Sequence, residues 1–105
     1  MFNKVMRKKL YRLAWAKWGS EAQFVVFMEE CAELIKAVSK YMRFGKKSAQ
    51  PARDLVEEIA DVEIMIEQVI TMNDWENFRE RIDQAKSDKL KRLANIVDPD
   101  CKEVF

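Results

Sequence analysis

Two short runs hold the residues best suited to chemistry. Glu29-Glu30-Cys31-Ala32-Glu33-Leu34 and Glu57-Glu58-Ile59-Ala60-Asp61-Val62 align as a weak internal repeat. In each, acids stand three residues apart, which puts both on one face of a helix. On a helical wheel Glu30 falls inside an apolar arc of Val26, Phe27, Cys31, Leu34 and Val38, with Glu33 at its edge. Glu58 is embedded in the same way among Leu55, Ile59, Val62, Met65, Ile66 and Val69, with Asp61 at the edge. Burying an unpaired carboxylate is costly, so four that converge require protons or cations.

The chain contains no histidine, and its two cysteines, Cys31 and Cys101, lie far apart with no CxxC spacing. That excludes His-based triads and most zinc chemistry, because zinc and softer metals are held by imidazole or thiolate. A metal held by this chain is therefore a hard cation on carboxylates: magnesium, manganese or calcium. Four carboxylates balance two divalent ions, and two ions ~3.5–4 Å apart are a recurrent clamp for displacement at phosphorus. The expected substrate class is phosphorylated. The 19 Lys and Arg against 18 Asp and Glu give a net charge of +1. Neutralising the four carboxylates leaves 14 acids against the 19 bases, an excess that suits an anionic ligand.

The elements that position these acids read as helices. Apolar residues recur at three and four, which predicts an all-α chain with helices at about 3–18, 20–44, 51–72 and 74–95. Gly19 stops the first, and Ser20 with Gln23 forms a capping box for the second. Gly45 ends the second, Lys46 to Gln50 loop, and Pro51 suits the first position of the third. Asn73 with Glu76 repeats the capping-box spacing before the fourth, and Asp98-Pro99-Asp100 ends the pattern. One domain over residues 1–97 with a short tail, 98–105, is expected from the 105-residue length. The longest apolar run, Phe24 to Met28, is far short of the ~20 residues a bilayer requires, so a soluble, cytoplasmic protein with no membrane partner is expected.

Glu30-x-x-Glu33 followed by Glu58-x-x-Asp61 resembles the signature of the all-α nucleoside triphosphate pyrophosphohydrolases, in particular the MazG-like group. The lead-in Trp18-Gly19-x-x-x-Gln23 and the runs EECAELIKAV and EEIADVEIMI are in the same style, and the resemblance covers roughly residues 10–95. It implies a four-helix, bundle-like, oligomeric architecture and a hydrolase that splits a nucleoside triphosphate between its α- and β-phosphates, releasing monophosphate and pyrophosphate. By the same resemblance Glu30, Glu33, Glu58 and Asp61 are the magnesium ligands, with manganese as a substitute. Glu33, or else Glu30, orients or deprotonates the attacking water.

Around that core, Lys86, Lys89 and Arg92 repeat at three along the fourth helix and are candidate phosphate contacts, with Lys46, Lys47 and Arg53 weaker ones. Trp15, Trp18 and Tyr41 are candidate platforms for a base, and Gln23 shares the Glu30 stripe and could touch ribose or base. Val25 and Ile64 fall outside the main apolar arcs, which fits the homodimer or homotetramer that the resemblance implies. Three competing readings remain. The chain could be a phosphoribosyl-ATP pyrophosphohydrolase. It could be a non-catalytic helical interaction module whose acids are neutralised by Lys or Arg. It could also bind nucleic acid through Lys4, Arg7, Lys8, Lys9 and Arg12 on the basic first helix.

Overall fold

The computed structural model describes residues 1–100, and these are helical, with no strand among them. Helix α1 spans Lys4–Trp18, α2 Ser20–Phe44, α3 Gln50–Met72 and α4 Phe78–Val97, with a short 3-10 turn at Asp74–Glu76. The chain divides into two compact units at Met72/Asn73, so α1 to α3 form one and the 3-10 turn with α4 forms the other. No helix is long and apolar enough to cross a membrane. Cys101 lies outside the described residues.

In the first unit, α2 and α3 form an antiparallel hairpin across the loop at 45–49. Its seam buries Ala37 from α2 and Val62 and Met65 from α3, the last two at the apolar positions expected beside Glu58. Ile59 and Ile66, expected in the same arc, stay exposed. Helix α1 starts with the Asn3 side chain accepting a 2.9 Å hydrogen bond from the Met6 amide, which satisfies one of the first-turn donors. It joins α3 through polar contacts. Arg7 Nε (2.6 Å) and the Tyr11 hydroxyl (2.8 Å) both donate to Glu67 Oε1, and Trp15 Nε1 donates to Gln68 Oε1 at 3.0 Å. Arg7 is thus committed to a carboxylate of its own chain and is not free for a phosphate backbone.

Two expected caps are corrected, and Gly45 ends α2 as expected. Gly19, and not Ser20, caps α2: at φ +86 and ψ 156 it closes α1 with its amide on the Trp15 carbonyl and opens α2 with its carbonyl accepting from the Gln23 amide. The Gln23 side chain is left for another purpose, since no side-chain cap bond forms. Gly45 is not left-handed (φ −61, ψ −24); it is needed for space, because a Cβ there would lie 2.6 Å from the Tyr41 carbonyl oxygen and 2.8 Å from its ring. Asn73 does not open a helix at 74. Asp74–Glu76 makes a 3-10 turn, Asn77 adopts the left-handed conformation that Asn tolerates (φ 56), and α4 starts only at Phe78.

The second unit is held by local bonds: Arg79 pairs with Asp83 at 2.7 Å, and Arg81 reaches Glu76 at 3.5 Å and lies 5.8 Å from the Phe78 ring centroid. Leu90, Leu93 and Ile96 form an exposed stripe on α4.

The Arg7 hydrogen bond, helped by that of Tyr11 and opposed by burial, holds the Glu67 carboxyl below its usual range. A depressed carboxylate stabilises the fold above its unfolded pKa and loses that contribution as pH falls through its folded one. Wild-type protein is therefore expected to lose thermal stability as pH drops below about 4, and Glu67→Gln to flatten that acid limb, as read by circular dichroism melts across pH.

Candidate metal centre

The hairpin register places Glu30 of α2 against Glu58 and Asp61 of α3. One carboxylate oxygen of each lies within 4.8 Å of those of the other two. Glu30 and Glu58 are half-buried and Asp61 is exposed, so the group sits at the mouth of the α2/α3 seam. Glu58 Oε2 is shut off from water and has no hydrogen-bond partner. Among the described residues the ion pairs are Arg7–Glu67, Arg79–Asp83 and Arg81–Glu76, and none involves these three carboxylates. Burial first, and then the charges of Asp61 and Glu58, push the Glu30 carboxyl above its usual range.

Glu33 stands one turn along α2, exposed and outside this group. It lines a cavity of about 130 Å³ with Lys36, Ala37, Lys40, Asp54, Glu57 and Glu58. Glu58 therefore belongs to both places, with Glu30 and Asp61 on one side and Glu33 on the other. Ala37, buried in the seam, gives the cavity its depth, since a larger side chain there would fill it. Lys36 and Lys40, which a helical wheel assigns to a solvated face, border the cavity and form no ion pair with its acids.

The donor set fits a hard divalent cation: three convergent oxygen ligands on two packed helices, no nitrogen or sulfur donor, and one sealed carboxylate oxygen without a partner. Cys31, next to Glu30, carries a free thiol and is not in the group.

The other sequence candidates are spread more widely. Trp18 is 58% exposed under the Lys17 ammonium, 5.1 Å from its ring centroid, and Tyr41 is 45% exposed beside Gly45. Neither is brought to the carboxylates. Gln23 is buried on the Glu30 stripe, two turns toward the start of α2. Lys86, Lys89 and Arg92 are exposed on α4, in the second unit. Lys46 and Lys47 are exposed in the loop, and Arg53 donates to Gln50 Oε1 at 3.0 Å. Sequence reasoning missed Gln68, buried and bonded to Trp15, although its place seven residues after Asp61 puts it on the Asp61 stripe.

Compared with family models, with curated proteins and with solved structures, the chain has no match.

An acid whose folded pKa is raised stabilises the fold below its unfolded pKa and loses that contribution as pH rises through the folded one. Without divalent cations, the melting temperature is therefore expected to fall as pH climbs through and above the ordinary glutamate range, and Glu30→Gln to remove that decline. Magnesium at neutral pH should raise the wild-type melting temperature and leave that of Asp61→Asn nearly unchanged. An equal magnesium response in both proteins, measured by differential scanning fluorimetry, would contradict the ligand assignment.

Proposed function

We propose that this chain is a magnesium-dependent nucleoside triphosphate pyrophosphohydrolase that cleaves between the α- and β-phosphates. The observation that carries the reading is the convergence of Glu30, Glu58 and Asp61 from two helices, none of them in an ion pair among the described residues. Lys or Arg partners would have made the acids a structural network. Their absence among the described residues, together with the sealed, unpartnered Glu58 oxygen, favours a bound cation. The resemblance of Glu30-x-x-Glu33 and Glu58-x-x-Asp61 to the MazG-like signature supplies the reaction type.

Glu30, Glu58 and Asp61 would hold the metal, with Glu33 reaching it from the cavity that it lines with Glu58. Bound magnesium would supply positive charge to phosphate oxygens and lower the pKa of a coordinated water. Glu33 is suited to accept a proton from the attacking water, because it is solvent-accessible and lies one turn from Glu30. Lys36 and Lys40 are placed to meet phosphate oxygens beyond the metal ligands, and they carry their charge without an internal partner. The many exposed apolar side chains of the first unit, including Leu13, Val25, Met28, Ile35, Val56 and Ile64, support a homodimer or homotetramer in a bundle-like arrangement. We also place the protein in the cytoplasm, in nucleotide-pool housekeeping.

Incubation with ribo- and deoxyribonucleoside triphosphates should yield monophosphate and pyrophosphate in magnesium or manganese and nothing in EDTA, with products resolved by ion exchange. Glu58→Gln should keep its helical circular dichroism and retain less than about a tenth of wild-type kcat, since losing an essential ligand costs more than the ~1.4 kcal/mol that a factor of ten represents. Diphosphate and orthophosphate as products would refute the assigned bond. Lys36→Ala and Lys40→Ala should each raise KM several-fold with a smaller effect on kcat.

A further inference from the structure

The two polar side chains buried most deeply in the described structure are both amides, Gln23 (7% exposed) and Gln68 (4%). They occupy equivalent places on the hairpin. Gln23 precedes Glu30 by two helical turns on α2, and Gln68 follows Asp61 by two turns on antiparallel α3, so the amides share one level of the seam. That level lies about 10 Å from the carboxylates, seven residues at ~1.5 Å each.

A buried amide without partners is unfavourable, and these are only partly served. Trp15 Nε1 donates to Gln68 Oε1 at 3.0 Å. An indole N–H can only donate, so this contact fixes which way the carboxamide faces and leaves the Gln68 NH2 group to point elsewhere. The Gln23 side chain makes no hydrogen bond to any described residue. Yet Glu58 Oε2 is the one described side-chain atom that is both sealed from water and unpartnered, so the spare amide atoms still reach solvent. They form a recessed hydrogen-bonding edge that meets solvent only over a small area. An aromatic ring stands beside it: Trp15 holds Gln68 and meets Phe24 edge-to-face at 5.7 Å. A flat ring beside a donor-bearing edge suits recognition of a planar polar heterocycle.

We infer that Gln23 and Gln68 read the base of the nucleotide, with the Gln68 NH2 group donating to a base carbonyl. The inference rests on the pyrophosphohydrolase reading for its frame: with the phosphates at the carboxylates, the ribose spans the two turns of hairpin and brings the base to the amides. A carbonyl oxygen offers two lone pairs, enough for a donor from each amide, so uracil, cytosine and guanine suit the site and adenine, which has no carbonyl, does not. Trp15 is a positioning residue that acts through Gln68.

The test is calorimetric titration of the full chain, in magnesium, with ribose 5-phosphate and with uridine, cytidine, guanosine and adenosine 5′-monophosphates. At least one of the three carbonyl-bearing nucleotides should bind about tenfold or more tighter than ribose 5-phosphate, the order of one buried hydrogen bond. Gln68→Met should reduce that gain to less than about threefold. Gln68→Glu, which keeps an oxygen for Trp15 and loses the donor, should do the same, whereas a purely structural clasp would leave the gain intact. If Gln68→Met fails to fold by circular dichroism, Trp15→Phe replaces it, and the gain should again shrink. No gain over ribose 5-phosphate, a gain confined to adenosine monophosphate, or a gain that survives these substitutions would overturn the assignment. The two readings fail separately: base-selective binding without triphosphate turnover removes the reaction and keeps the amide site, and turnover without base selection does the reverse.

Discussion

The arrangement of the first unit follows from one electrostatic constraint: three carboxylates from two helices share a space less than 5 Å wide. Left alone, they repel one another and disfavour the close approach of α2 and α3 that brings them together. The Glu30 carboxyl is pushed above its usual range first by burial and then by the charges of Asp61 and Glu58. Glu58 turns one oxygen into the seam with nothing to receive it, so the group favours a proton or a cation at its centre. The hairpin is thus held by its apolar stripe, while Lys36 and Lys40 border the neighbouring cavity without pairing with the acids.

What opposes the repulsion is modest. Few apolar side chains are buried: Tyr11, Ala37, Val62 and Met65 make up the core among the described residues. Helix α1 adds to this by two polar fastenings on α3, one to Glu67 and one to Gln68. Tyr11 shows how far the first fastening is sheltered: burial, and then its bond to Glu67, push its hydroxyl up to about 12. Fastenings of this kind orient side chains more strictly than apolar contact does, and Gln68 benefits most, since its carboxamide acquires a fixed direction.

The helices and the acidic repeat were legible because both depend on spacing, and spacing survives without tertiary knowledge. Glu30, Glu58 and Asp61 converge because acids interrupt two apolar stripes at matching positions, a pattern that only antiparallel packing of α2 on α3 reconciles. Glu33 shares the spacing and not the convergence, because a single turn of helix carries it from the acid group to the cavity wall. Gln68 escaped notice because an uncharged polar residue in an apolar stripe gives no periodic signal, and its partner, Trp15, is 53 residues away. Gly45 ends α2 as its place in the sequence suggests, and the structure adds the reason: a side chain there would meet Tyr41. The segment at 73–77 holds two asparagines suited to ending or opening a helix, and one-dimensional reasoning chose the earlier.

Gly19 has a consequence for the order in which the chain assembles. It closes one helix and opens the next with no intervening residue, so α1 and α2 can form as adjacent local segments, and the α2/α3 hairpin closes over a loop of five residues. The bonds that seat α1 on α3, by contrast, join residues 53 to 60 positions apart. Loop-closure entropy delays such contacts until nearer ones exist, which makes the seating of α1 the late step of folding for this unit. The bottleneck for a newly made chain is then the arrival of Arg7, Tyr11 and Trp15 at a hairpin already formed, and slow traffic there would be felt as a lag between helix formation and tertiary order.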